Sequence, residues 1–233
     1  MIFERTKLLI GQENIQKLKD SHVCIFGIGG VGGYVAEGLA RAGIGSLSLV
    51  DYDVVDISNI NRQIIATLNT IGKNKVDVME ERLLLINSEL SIIKYNSMLT
   101  NDNISLFFNN ANYTYVADAI DMVSSKIDLI EYCILNNVNI ISSMGTGKKI
   151  RPEKLEISDI SKTSVCPLAK VIRKELKKRN IYHLNVVFST ENPIDIFSKE
   201  KKGEKNIGSI SFVPSIAGML MASKIVNDII SLN

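Results

Sequence analysis

FGIGGVGGYVAEGLARAGIGSLSLVDYD, residues 26–53, decides the fold. The apolar run HVCIFGIG ends in glycine, GGYVAEGLARAG then places Val35, Leu39 and Ala42 at helical spacing, and LSLVD returns to a strand pattern. Strand, tight turn, helix and strand in this order open a doubly wound nucleotide-binding sheet. Gly27, Gly29 and Gly32 stand at GxGxxG spacing, serving in turn a tight turn, a close backbone approach and close helix packing. The helix that begins there directs free amide groups at a phosphate. Asp51, nineteen residues after Gly32, ends the second strand, where a carboxylate can accept hydrogen bonds from ribose hydroxyls. These features fit nicotinamide, flavin and ATP enzymes alike, and a glycine turn that holds no nucleotide remains an alternative.

The pattern continues beyond the motif. KVDVMEERLLLIN sets Val76, Met79, Leu83 and Ile86 on one helical face, and SIIKYNS, YTYVADAID and VNIISSMG read as strands, with SSKIDLIEYCILNN a helix between the last two. Alternating strands and helices predict a mostly parallel sheet covered on both faces, a Rossmann-like α/β fold. After Gly147 the pattern changes: LEISDIS and YHLNVVFST read as strands flanking a basic helix, a continuation of the sheet with antiparallel character. We therefore expect one domain over residues 1–233, with a nucleotide-binding half at 1–147 and a basic, substrate-binding half at 148–233. SIAGMLMASKIVNDIISLN reads as a helix packed on the core, membrane-surface attachment being the alternative. Residues 199–209, KEKKGEKNIGS, lack apolar periodicity and read as a mobile loop.

Composition narrows the function. The chain of 233 residues is 45% hydrophobic, enough for a substantial core. Its opening MIFERTKLLIGQEN resembles neither a secretory signal nor a membrane span. Cys24, Cys133 and Cys166 form no CxxC pair for zinc and no disulfide framework, which points to a reducing, cytoplasmic setting. Cys24 and Cys133 read as small buried hydrophobes. His22 and His183 read as structural. The net charge is +2, unevenly spread: −5 over residues 1–147, +7 over 148–179 and zero over 180–233. A basic block beside a nucleotide-binding half suits a polyanionic partner, since phosphate contacts supply sequence-independent affinity. A solvated amphipathic helix, VIRKELKKRN, is the plainer reading of the same residues.

The residues that follow Asp51 separate the nucleotide classes. Arg62 and Lys75 come within 24 residues of it, and Asp121 ends another parallel strand, YTYVADAID, at the same sheet edge. Ligands in such folds lie beyond the carboxyl ends of the strands, so two cations and an acid could meet there. That set suits nucleotidyl transfer, with the acid carrying magnesium, better than nicotinamide chemistry.

GIGGVGG, DYD, SNINRQ, GKNK and DAID, in this order, resemble the ubiquitin-activating-enzyme superfamily, whose members adenylate a carboxylate with ATP. The resemblance runs from about Arg5 through most of the chain. Within it, ERLLLIN, SDISKTSVCPLAKVIRKELKKRNI and VVFSTE are similar to segments of the tRNA threonylcarbamoyladenosine dehydratase family. Sister enzymes that activate a sulfur-carrier protein commonly carry paired CxxC ligands, which this sequence lacks; an adenylyltransferase of that kind stays the alternative. An NAD-dependent oxidoreductase and a non-catalytic nucleotide-binding module are more distant rivals.

The resemblance implies roles. Gly27, Gly29, Gly30 and Gly32 would hold adenosine and phosphates, Asp51 the ribose with Asp53 beside it, and Asn59, Arg62 and Lys75 the phosphates. Asp121 would coordinate magnesium, or cap the following helix. Arg5 would reach the ATP of a partner subunit, which implies a homodimer. Arg62, Lys75, Asp121 and Arg5 are thus the expected catalytic set. Lys148, Lys149, Arg151, Lys170, Arg173, Lys174, Lys177 and Lys178 would hold the tRNA backbone. Cys166 precedes ProLeuAla where the family pattern has Asp, so no covalent role is assigned to it; Tyr34 stands where the family commonly has a small residue. A monovalent cation at the sheet edge and a cysteine desulfurase or sulfur-acceptor partner are further expectations.

Overall fold

The computed structural model describes residues 2–109, 111–194 and 207–231. In chain order its elements are α1 (Glu4–Ile10), α2 (Gln12–Lys19), β1 (His22–Phe26), α3 (Gly32–Ala42), β2 (Ser46–Val50), α4 (Lys75–Leu84), β3 (Ser91–Tyr95), β4 (Tyr115–Asp118), α5 (Val123–Leu135), β5 (Ile140–Ser143), β6 (Leu155–Asp159), α6 (Pro167–Lys178), β7 (Asn185–Ser189) and α7 (Phe212–Ile229). The strands form one seven-stranded sheet in the order β3-β2-β1-β4-β5-β7-β6. Every neighbouring pair is parallel except β6 against β7, which is antiparallel. The mixed end expected after Gly147 is therefore a real edge of the same sheet.

Strand β1 shows why the sheet is covered on both sides. Successive side chains of a strand point to opposite faces, and here Val23 and Ile25 enter one buried cluster while Cys24 and Phe26 enter the other. The first cluster joins α3, α4 and α7 through Leu39, Met79 and Met221. The second joins α5 and α6 through Ile130, Ile172 and Leu176. The C-terminal segment is thus a core helix: Val213, Ala217, Met221 and Ile225 are all buried. No described helix is long and apolar enough to cross a membrane.

Strand order reverses at β1, whose neighbours β2 and β4 lead in opposite directions across the sheet. At such a point the loops leave the carboxyl edge to opposite sides and a crevice opens between them. The glycine turn follows β1 at that crevice, and the loop after β4 faces it.

Candidate nucleotide site

Two glycines make the turn possible. Gly27 has φ of 88°, and a Cβ there would stand 2.7 Å from the Ala119 carbonyl oxygen. Gly32 opens α3, and a Cβ on it would stand 1.8 Å from the Gly27 carbonyl oxygen. Helix and strand can lie this close only where both residues lack side chains.

The crevice has a volume of about 340 Å³ and is lined by Gly27, Gly29 and Gly30 of the turn, by Asp51 and Asp53 after β2, and by Asn59, Arg62 and Lys75. The loop after β4 contributes Ala119, Ile120, Asp121 and Met122, while Val50, Met98 and Leu99 provide an apolar end. Of the residues expected to bind nucleotide, only Gly32 is off the lining; it lies behind the turn as a packing contact.

Asp51 sits just past the last residue of β2, with one carboxylate oxygen accepting from the Ile28 amide at 2.6 Å and the other from the Asp53 amide at 2.8 Å. It is thereby locked to the glycine turn. Burial pushes its carboxyl above the usual range, while Lys75 and the two amides pull it back. Lys75 is buried at the start of α4, and its ammonium pairs with Asp53 at 2.7 Å. A solvated first-turn lysine is therefore excluded. Cations at a helix start oppose the dipole, and this one is held there by a carboxylate that faces the crevice.

Arg62 is anchored by hydrogen bonds from one guanidinium nitrogen to the Ser58 carbonyl at 2.8 Å and to Asn61 Oδ1 at 2.9 Å. A surface salt bridge with Asp53 or Asp56 is not what holds it. Asn59 is buried, and its Oδ1 accepts from the Asp56 amide at 3.1 Å while Asp56 accepts from Ser58, a reciprocal cap that shapes the Arg62 loop.

Asp121 requires a correction. It does not end β4, which stops at Asp118, but lies three residues on in the connecting loop. Nor does it cap α5: the residue before that helix is Met122, with no side-chain cap. Its carboxylate is left facing the crevice rim. There Asp53 holds the Tyr52 hydroxyl above its ordinary value, followed by burial and by Asp121 and Asp51, so three acids converge on one rim. Among the described residues no cluster of three or more His, Cys, Asp or Glu is arranged to hold a metal alone. A single carboxylate fits magnesium that takes its other ligands from phosphate oxygens and water.

Sequence reasoning missed two features. Gln63, the residue after Arg62, is buried on the crevice wall, and its Oε1 has no hydrogen-bond partner among the described residues. Buried polar atoms are nearly always satisfied, so this one marks a place for a ligand donor. Its position in SNINRQ was the available signal. The second is a fully buried pair, Lys126 with Asp118 at 2.7 Å, beneath the Asp121 loop.

Arg5 lies exposed on α1 and does not line its own chain's crevice. The basic residues divide. Lys170, Lys174, Lys177 and Lys178 are exposed along α6, opposite the buried Ala169, Ile172 and Leu176, and Arg151 is also exposed. Lys178 pairs with Glu175 at 2.7 Å. Lys148 is part-buried, with its amide bonded to the Gly208 carbonyl at 2.8 Å. Arg173 instead turns inward, donating to the Thr163 carbonyl at 2.9 Å and to its hydroxyl. Lys149 is a correction: only 3% exposed, its ammonium lies 3.4 Å from the Ser189 carbonyl, and burial lowers its pKa. It cannot lie on a polyanion's backbone. Cys166 is buried at the start of α6, as are Cys24 and Cys133 in the core. The expected loop at 199–209 lies mostly outside the described residues.

A doubly wound sheet with a glycine turn, a buried acid and two cations gathered on the crevice at its switch point defines a protein of the nucleotide-binding α/β class. The chain belongs to the ThiF family, whose model matches residues 3–231. It is 41% identical to the tRNA threonylcarbamoyladenosine dehydratase of Bacillus subtilis, over 98% of this chain and 94% of that one. It is 35% identical to the dehydratase of Haemophilus influenzae, over 94% and 89%. Its structure matches the crystal structure of the Escherichia coli dehydratase in complex with ATP, with a TM-score of 0.90 at 34% identity, covering 98% of this chain and 93% of that one.

Proposed function

We propose that this protein is an ATP-dependent tRNA threonylcarbamoyladenosine dehydratase, which closes the threonylcarbamoyl group of the modified adenosine into a ring. The observation that carries the reading is the meeting of Asp51, Arg62, Lys75 and Asp121 on one crevice beside a glycine turn, in a chain that aligns over nearly its full length with dehydratases.

The threonyl carboxylate attacks the α-phosphorus of ATP and pyrophosphate leaves. A nitrogen of the same modified base then attacks the acyl carbon, the bond to AMP breaks, and the net change in the nucleoside is loss of one water. No nucleophile of the protein is needed, in keeping with the burial of all three thiols. Asp51 holds the ribose. Arg62, Lys75 and the amides at the start of α3 offset charge on the phosphates. For Lys75 this requires exchanging Asp53 for a phosphate oxygen. Magnesium, held by Asp121, would supply further charge neutralisation. Ring closure within one molecule gains chiefly from orientation, of which about 7–11 kcal/mol is the upper range.

Lys148, Arg151, Lys170, Lys174, Lys177 and Lys178 form the tRNA-facing set, contacting phosphates rather than base edges. A homodimer that brings Arg5 to the partner's crevice, and a cytoplasmic location, complete the proposal. The test is release of AMP and pyrophosphate from magnesium-ATP, measured with modified tRNA, unmodified tRNA or a glycine-tailed carrier protein. Turnover with modified tRNA alone supports the reading. Pyrophosphate exchange with the carrier alone would replace it.

A further inference from the structure

We infer that Lys126 is a positioning residue for the Asp121 loop, acting through Asp118 and touching neither nucleotide nor tRNA; the inference rests on the ATP-dependent reading above. Lys126 lies in the first turn of α5 and is completely buried, as is Asp118. Its ammonium donates to Asp118 Oδ2 at 2.7 Å, to Ser142 Oγ at 3.1 Å and to the Ser143 carbonyl at 3.0 Å. That uses all three protons of the ammonium. Ser142 Oγ donates to the same Asp118 oxygen at 2.6 Å.

The other Asp118 oxygen accepts from the Ile120 amide at 3.1 Å. The Ala119 amide donates to the Phe26 carbonyl at 2.8 Å, and the Ala119 carbonyl rests against Gly27. Residues 119–122, which carry Asp121, are therefore held at one end by Asp118 and at the other by α5, with the glycine turn alongside. Lys126 ties those supports together, because it joins the ends of β4 and β5 to the helix that receives the loop.

A buried ion pair is seldom more stabilising than apolar side chains of the same volume. A closed set of directional bonds does what apolar packing cannot: it sets the path of the loop above it. Lys126 also balances the Asp118 charge, so that a second carboxylate can stand three residues away with its own charge available to a cation.

The test compares the wild type with Lys126→Met, with the charge-neutral double variant Asp118→Asn/Lys126→Met, and with Ser142→Ala, which removes one bond to Asp118. Lys126→Met alone leaves a buried carboxylate uncompensated, so the double variant and Ser142→Ala carry the decision. Calorimetry gives ATP affinity without metal, and a magnesium titration of AMP release gives the half-maximal metal concentration, kcat and KM. For the folded double variant we expect metal-free ATP affinity and KM for tRNA within threefold of wild type, with the magnesium midpoint raised at least tenfold and kcat lowered at least tenfold. For Ser142→Ala we expect a midpoint about threefold higher. Midpoint and kcat within twofold of wild type in both variants, or a loss of metal-free ATP affinity as large as the loss of kcat, would overturn the positioning role. Wild-type protein that releases no AMP would instead overturn the reading on which it rests.

Discussion

Replacing Gly32 with alanine should damage nucleotide binding far more than the same change one residue later. The new Cβ would stand 1.8 Å from the Gly27 carbonyl oxygen and 3.0 Å from its carbonyl carbon. To reach a tolerable 3.0 Å from the oxygen, the start of α3 must withdraw from the turn by about 1.2 Å. The obstacle is backbone, so no side chain can rotate away. Overpacking of this kind costs about 1–3 kcal/mol, and at the upper end Tm falls by about 6–12 °C for a chain of this size. The moved amides are those expected to face phosphate, and a displacement near 1 Å costs about a hundredfold in a positioned reaction. At Gly33 the new Cβ would press on Ile64 Cγ2 at 3.1 Å, the end of a flexible side chain, and stand at an ordinary 3.9 Å from the Ile28 carbonyl oxygen. Scanning calorimetry and ATP titration of both variants decide it: Gly32→Ala should lose at least tenfold in ATP affinity, or about 1.4 kcal/mol, with Gly33→Ala near wild type. Equal behaviour of the two variants would refute the argument.

Three further outcomes follow from the site. Lys75→Met should lower kcat/KM about a hundredfold, the scale of losing one positioned electrostatic stabiliser, yet leave the protein folded, since methionine keeps the buried aliphatic volume and the partner left behind, Asp53, is 46% exposed and can take up water; unfolding curves alongside AMP release check both. Burial raises the Asp51 carboxyl, so between the unfolded value of about 3.9 and the folded one the native state binds more protons; this group's contribution to stability is greatest below that window and declines as pH rises through it. With the carboxylate holding the ribose as proposed, wild type should lose ATP affinity on acidification from neutrality before an ordinary aspartate would titrate, and Asp51→Asn should show no such step; parallel pH profiles would contradict this. Replacing Lys170, Lys174 and Lys177 with alanine should make the slope of log K for tRNA against log salt shallower by about 2–3, whereas Arg173→Ala, which loses its bonds to Thr163, should reduce stability more than tRNA affinity.

The sheet was legible because its signals are local. The continuous apolar run of β1, the glycine spacing and the helical stripes of α3 and α4 can all be read without knowing what touches them. The order of the motifs also led to the cation and acid set. What could not be read were contacts between distant residues. Nothing local in KIDLIEY distinguishes Lys126 from a surface lysine, since its partners are 8, 16 and 17 residues away on two strands. Lys149 was misread for the same reason: a KK pair beside other basic residues looks solvated, and only tertiary packing places one member inside. Asp121 was put at a strand end because strand boundaries blur where the apolar pattern fades, and β4 stops three residues earlier. Gln63 was hidden by the charged residue before it.

The most direct measurement is mass spectrometry of the nucleosides released from threonylcarbamoyl-modified tRNA after incubation with the protein and magnesium-ATP, with Lys75→Ala and Asp121→Ala alongside. The account predicts a modified adenosine lighter by one water with the wild type and unchanged with both variants. An unchanged nucleoside with folded, ATP-binding wild-type protein would contradict it.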